Sequence, residues 1–206
     1  MRLTHLIPLA VFALAAPAVA QLATTPQQPG QPQAARVAAG TYKVDVNHTQ
    51  VTWEVNHMGF SMLQGQFGAS DGSITIDPKK IADTKVDVTF AIDALSVTAA
   101  PFAHHLKSPD FFNVAQYPTA HFVSTKVTPK GASGATLVGN LTIKDQTKPV
   151  TLDVTFVGAG ANPMSKKLNF GFTAKGVVKR SDFGLGFATP IVSDEVKLNI
   201  NAAFTA

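Results

Sequence analysis

The 206-residue chain contains no cysteine, which excludes disulfides, a thiolate nucleophile, a sulfur-ligated zinc site and an acylated lipoprotein cysteine. Its only glutamates are Glu54 and Glu195, on different predicted strands, so no paired-carboxylate site is encoded. The five histidines beyond the first twenty residues, His48, His57, His104, His105 and His121, show no metal-ligand spacing, and adjacent His104 and His105 cannot share a helix face. No metal or catalytic residue is therefore assigned. Clustered basic charge is also missing. The formal net charge is +4, and the lysines lie scattered between Lys43 and Lys197, with no run longer than Lys79-Lys80 and Lys166-Lys167. A nucleic-acid partner is not expected from that pattern. Helical periodicity is scarce too, confined to a turn or two over Pro101–Lys107, where proline suits a helix start.

What is present begins with an export signal. Arg2 precedes an apolar run from Leu6 to Ala16, and Ala18-Val19-Ala20 offers the small residues that a signal peptidase reads. Pro8 and Pro17 leave the run shorter than the about 20 apolar residues of a membrane anchor. Residues 1–20 are thus expected to be an export leader cleaved after Ala20. Its loss removes one charge, Arg2, and lowers the net charge from +4 to +3. Residues 21–40, with Pro26, Pro29 and Pro32 among glutamines and alanines, have the composition of a solvated linker. The folded domain is expected over residues 41–206, and 45% hydrophobic with 15% charged residues is a globular composition.

Within that domain the dominant signal is alternation with a period of two. Val86, Val88, Phe90 and Ile92 alternate with polar residues, as do Val150, Leu152, Val154 and Phe156. The same holds for Leu168, Phe170, Phe172 and Ala174, and for Val196, Leu198, Ile200, Ala202 and Phe204. Further strands are expected over Tyr42–Val46, Val51–His57, Gln64–Gly68, Ser73–Asp77, Ala120–Thr128 and Thr136–Ile143. Turn residues at Asp71-Gly72, Asp77-Pro78, Pro129-Lys130-Gly131, Ser133-Gly134 and Gly158–Pro163 separate most of them. An all-β meander of about eight antiparallel strands, each with one apolar face, must become a sandwich or a closed barrel. A barrel of that size is either filled by its side chains or holds one small ligand.

Leu106–Phe122, LKSPDFFNVAQYPTAHF, bears on which. It is irregular, interrupted by Pro109 and Pro118, yet loaded with Leu106, Phe111, Phe112, Val114, Tyr117 and Phe122, all of which favour burial. It is either a lid folded over an ordinary core or the mouth of an apolar cavity. The 14 phenylalanines leave the same pair open: a packed core, or rings around a lumen in which Gly139, Gly171, Ala174, Gly176, Gly184 and Gly186 leave room for a guest.

Four motifs narrow the choice: TYKVDVNHTQVTWEVNHMGFSMLQGQF, HLKSPDFFNVAQYPTAHF, GNLTIKDQTKPVTLDVTF and KGVVKRSDFGLG. In this order and spacing they resemble the YceI-like family over essentially all of residues 41–206. The resemblance implies a lipocalin-like, extended antiparallel β-barrel, exported to the periplasm, with a short helical segment near its mouth. It implies non-enzymatic binding, storage or transport of a polyisoprenoid or other long-chain amphiphilic lipid, such as an isoprenoid quinone or fatty amide, inside the lumen. No cofactor beyond that lipid is expected; peripheral membrane contact and a homodimer are compatible with it. One departure stands out: many members carry an Arg-Asp pair shortly before the His-Leu step, where SVTAAPFAHHL places Phe102 and Ala103.

Strand phase and family position together nominate Trp53, Val55, Phe67, Val88, Phe90, Phe156, Phe170 and Phe172 as lumen residues, with Phe60, Phe111, Phe112 and Phe122 near the mouth. His57, in phase with Val51, Trp53 and Val55, is nominated to meet a lipid head group or a backbone carbonyl. Arg180 is the sole arginine beyond Arg36; it meets a phosphate with its planar fork or pairs with an aspartate to fix its turn. Two other functions compete. One is a stress-related periplasmic interaction protein without a lipid. The other is a lipid-directed hydrolase using Ser70 or His57, although Gly68-Ala69-Ser70-Asp71-Gly72 leads into a strand rather than the helix that a nucleophile elbow needs.

Overall fold

The alternating segments form nine strands in the computed structural model, which describes residues 27–206; the leader expected over residues 1–20 lies outside the described residues. The strands are β1 (Gly40–Val44), β2 (Gln50–His57), β3 (Ser61–Ile76), β4 (Lys85–Ala91), β5 (Thr119–Lys130), β6 (Gly134–Ile143), β7 (Gln146–Ala161), β8 (Leu168–Lys179) and β9 (Glu195–Thr205). One helix, α1 (Ala100–Lys107), lies between β4 and β5. Pro101 occupies its first turn and His104, His105 and Lys107 its last, the charge order that the helix dipole favours.

All pairings are antiparallel, and the ring closes where β3 pairs with β4. β1 and β2 are two pieces of one broken strand: β2 pairs with the upper part of β3 and β1 with its lower part, and both reach β9. The result is a closed antiparallel barrel with eight strand positions. At its upper end lie the β2–β3 turn, residues 92–118 with α1, and the β8–β9 connection over residues 180–194. At its lower end lie the β3–β4, β5–β6 and β7–β8 turns.

Three β-bulges shape the wall, and each flips the inward parity of its strand. In β3 the register shifts between Ala69 and Asp71, so inward positions run Gly65, Phe67, Ala69 and then Ile74, Ile76. In β5 the shift falls between Ser124 and Lys126, and inward Phe122 is followed by inward Val127. In β7 it falls between Phe156 and Gly158, exposing Val157 and burying Ala159 completely.

Two expected turns are therefore strand. Asp71-Gly72 does not reverse the chain: Gly72 has φ +146°, and a Cβ there would stand 2.4 Å from the Asp87 carbonyl oxygen. Glycine permits that backbone, so the strand bends and continues. Gly158–Pro163 likewise continues β7 to Ala161. Its glycines admit another backbone, since a Cβ on Gly160 would lie 2.0 Å from the Pro29 carbonyl oxygen and one on Gly158 3.1 Å from that of Gln31.

That neighbouring backbone corrects a third expectation. Residues 27–39 are not simply a solvated linker but a strap across the lower end. Gln31 and Ala159 exchange backbone hydrogen bonds of 3.0 and 2.9 Å, and the Tyr42 hydroxyl donates to the Ala38 carbonyl at 2.8 Å. Val37 is buried, with Ala34 packed beside it against the lower core. The apolar wall offers these two side chains more burial than solvent does.

Substituting Gly160→Val should release the strap while leaving the barrel closed. Limited proteolysis should then cut within residues 27–39, with a stability loss of about 1–2 kcal/mol by urea unfolding.

Candidate functional site

The interior is not filled. Its buried side chains fall into three clusters, one low around Tyr42, Phe156, Phe170 and Phe204, one on the wall around Phe122, Leu152 and Phe183, and one high around Trp53, Val55 and Leu106. Between them runs a cavity of about 550 Å³, lined from the lower turns to the upper end almost wholly by hydrocarbon. That volume lies within the range of small-molecule sites.

Glycines widen this lumen differently from expectation. A Cβ on Gly139 would stand 2.3 Å from Cζ of Phe122, one on Gly65 2.3 Å from Cζ2 of Trp53, and one on Gly176 2.6 Å from Cδ2 of Leu152. The space left at Gly139 and Gly176 is thus occupied by the wall's own side chains, which lie against neighbouring strands instead of projecting into the lumen.

Trp53, Val55, His57, Phe67, Val88, Phe90, Phe111, Phe112, Phe122, Phe156, Phe172 and Arg180 all line the cavity. Two nominated residues do not. Phe170, on the same side of β8 as Phe172, is buried in the lower core cluster, edge to face with Tyr42 at 4.8 Å and stacked on Phe204 at 5.7 Å. Phe60 sits in the β2–β3 turn and is 85% exposed, because the reversal through Met58 and Gly59, both at positive φ, points it outward. Additional lining residues include Leu63, Leu141, Leu152 and Ile200. Their inward strand phase was a usable signal; for Phe187 the signal was an aromatic residue in an irregular segment, and for Phe102 an aromatic residue on the short helix beside the lid.

Leu106–Phe122 proves to be both of its alternatives, closing the upper end while facing the cavity. Leu106 is buried in the upper cluster, and Phe111 and Phe112 join that cluster to the one on the wall. The Ile92 amide donates to the Pro118 carbonyl at 2.8 Å, and the Phe112 amide to that of Leu106 at 3.0 Å, so the lid's backbone satisfies itself without a sheet. The His105, Phe111 and Phe187 rings meet edge to face with centroids 4.8–6.0 Å apart, which ties the lid to the β8–β9 connection. Phe102, on α1, is a further apolar face on the lumen.

The β8–β9 connection is organised around Arg180, buried at 7% exposure. Its guanidinium donates to the carbonyls of Ser193 at 2.8 Å, Phe187 at 2.7 Å and Val192 at 2.9 Å, and to that of Leu185. The side chain fixes its turn as the pairing reading required, but through carbonyls rather than an aspartate. Asp194 instead accepts from the Ser181 amide at 2.8 Å and the Ser181 hydroxyl at 2.7 Å. Burial pushes the Asp194 carboxyl up, yet the Ser181 hydrogen bonds and the charges of Arg180 and Lys179 hold it below the usual carboxylate range. Burial pulls the Arg180 guanidinium down, and Asp194 opposes that.

His57 lines the upper lumen without a side-chain hydrogen bond to a backbone carbonyl among the described residues. Among the described residues, the buried side-chain polar atoms lacking a partner are Trp53 Nε1, Thr84 Oγ1 and Ser108 Oγ. Ser70 stands on the exposed outer face at the β3 bulge, its hydroxyl donating to the Thr89 carbonyl at 3.3 Å, and is not part of the cavity wall.

The profile of the YceI-like domain matches residues 42–204. Protein YceI of Escherichia coli is 38% identical over 170 residues, 82% of this chain and 88% of its own length. The crystal structure of BcnA from Burkholderia cenocepacia superposes with a TM-score of 0.67 at 27% identity, covering 78% of this chain and 98% of that one. A polyisoprenoid binding domain from Saccharophagus degradans shares the fold, with a TM-score of 0.56 at 11% identity over 80% of this chain and 98% of its own.

Two outcomes follow from the Arg180 network. Arg180→Ala leaves its carbonyls buried and unpaired and should cost about 3 kcal/mol or more in urea unfolding. Because the Asp194 carboxyl is depressed in the fold, its contribution is present above the unfolded value of about 3.9 and lost as pH falls through the folded one. Protection of the Ser181 amide, its exchange rate taken relative to the intrinsic rate at each pH, should fall as pH drops below about 3.9, and Asp194→Asn should abolish that dependence.

Proposed function

The chain belongs to the YceI-like family, and on that premise we propose that it carries or stores a long-chain isoprenoid or fatty lipid in the periplasm, without chemical turnover. The observation that carries this reading is the apolar lumen itself, about 550 Å³ lined by hydrocarbon through the length of the barrel. Such a wall recognises a chain by desolvation. At about 0.8 kcal/mol per buried methylene, ten groups contribute roughly 8 kcal/mol before association and ordering costs. The polyisoprenoid binding domain of Saccharophagus degradans, built on the same fold, supports an isoprenoid as the chain. The leader-like residues 1–20 support the periplasm.

Non-enzymatic binding is supported by the outward placement of Ser70, away from the lumen that His57 lines. Lipid exchange would pass the upper end, where Met58, Phe60, Met62, Phe187 and Ile191 are exposed around the lid. That apolar rim supports transient contact with a membrane at the lumen's mouth.

Native mass spectrometry of protein purified from the periplasm, followed by organic extraction, should find one lipid per chain; an empty protein that takes up neither isoprenoid quinones nor fatty amides at micromolar concentration would overturn the reading. Phe111→Ser with Phe112→Ser should speed lipid release by about tenfold, equivalent to about 1.4 kcal/mol. The double variant's unfolding midpoint should fall less than that of Arg180→Ala. A stability loss without faster release would return the lid to the role of a core plug.

A further inference from the structure

Residues 27–39 cross the base of the barrel without covering all of it. β6 begins at Gly134, opposite Thr155, so the last part of β7 has no strand partner on that side. Gln31 takes the vacant place by pairing with Ala159. From there the strap runs to β1, where the Ala38 carbonyl accepts from the Tyr42 hydroxyl. It divides the base into two halves. On the side of β8 and β9 the rings of Tyr42, Phe170 and Phe204 pack against one another and fill the space.

On the other side the lumen continues. Its wall there includes Ala34 of the strap, Pro78 and Ile81 of the β3–β4 connection, and Pro129, Ala132 and Ser133 at the β5–β6 turn. Pro129, Ala132 and Ser133 are also exposed to solvent, and a residue that faces both the cavity and bulk water stands where the two meet. The same is true of Met58 and Phe187 at the upper end, 46% and 53% exposed. The cavity therefore reaches solvent at both ends. No charged side chain lines the lower opening among the described residues. A hydrocarbon chain crosses such an opening freely, whereas an ionic head would lose hydration there without gaining a partner.

We propose that the lumen is a passage, and that the apolar tail of a prenyl lipid longer than the barrel emerges between the strap and the β5–β6 turn while its head stays at the upper mouth. The inference deepens the carrier reading and rests on it. β8 is 12 residues long, which at about 3.3 Å per residue and a tilt of about 40° gives a wall about 30 Å tall. A lower exit removes that height as a limit on the length of the guest.

The absence of cysteine makes the exit testable, because a thiol introduced by Ala132→Cys is the only one in the chain. Its alkylation by N-ethylmaleimide is timed in the free protein, with farnesol and with solanesol, a nine-unit prenol. Binding is followed through the fluorescence of Trp53, the sole tryptophan, which lines the lumen. Solanesol at about ten times its Kd should slow alkylation about tenfold, and farnesol should leave the rate unchanged. Ala132→Trp, which narrows the opening from an exposed turn position, should lower the ratio of solanesol to farnesol affinity about tenfold. Solanesol that binds without protecting the thiol overturns the lower exit. So does equal protection by farnesol, which would come from a stiffened turn, and so does a wild type that binds farnesol but not solanesol, whose base would then be shut. If neither alcohol binds, the carrier reading fails and the passage with it.

Discussion

Closure of the barrel between β3 and β4 is the constraint on which the rest of the structure depends. An open sheet of these strands would expose two edges and could fold its apolar faces onto each other. Once β3 pairs with β4, every inward side chain faces a ring whose diameter the backbone sets and the side chains cannot change. Phenylalanine, valine and leucine then coat the wall without meeting at the axis. The lumen results from that mismatch, and the three clusters around it are what remains of a core.

Closure in turn requires the three bulges. Each extra residue bends its strand and increases local twist, and each also serves a site. The β3 bulge lets one long strand pair with β2 above and with β1 and β4 below. The β7 bulge precedes the glycines that admit the strap, and beside the β5 bulge the Val86 amide turns to the Ser124 hydroxyl. The two barrel ends differ accordingly. The upper end is closed by aromatic rings and a lid whose hydrogen bonds are local, whereas the lower end is crossed by a strap bound through backbone pairing and bordered by lysines.

Much of this was legible from residues alone. Between bulges the period-two pattern is unbroken, so inward positions such as Trp53, Val88, Phe122 and Phe156 could be assigned from phase. Where a bulge intervenes, the phase changes without any compositional mark: Ser70, Thr125 and Val157 look like ordinary strand residues. Gly72, Gly158 and Gly160 resemble turn formers because the same freedom of φ serves turns, bulges and close backbone approach. Phe170 lies off the lumen for a related reason. Its phase is inward, but at the lower end β1 and the strap cover it with Tyr42 and Phe204.

The sequence by itself determined the fold class, the apolar face of nearly every strand and the presence of an aromatic lid, because these follow from side-chain type repeated at a fixed period. The tertiary structure alone decided that the interior stays open, that Arg180 spends its guanidinium on carbonyls and that residues 27–39 brace the base. Each of those depends on how separate strands and connections are brought together, the Arg180 turn included, since its carbonyls face inward only once β8 and β9 pair. Register and closure set such contacts, and no local pattern records them.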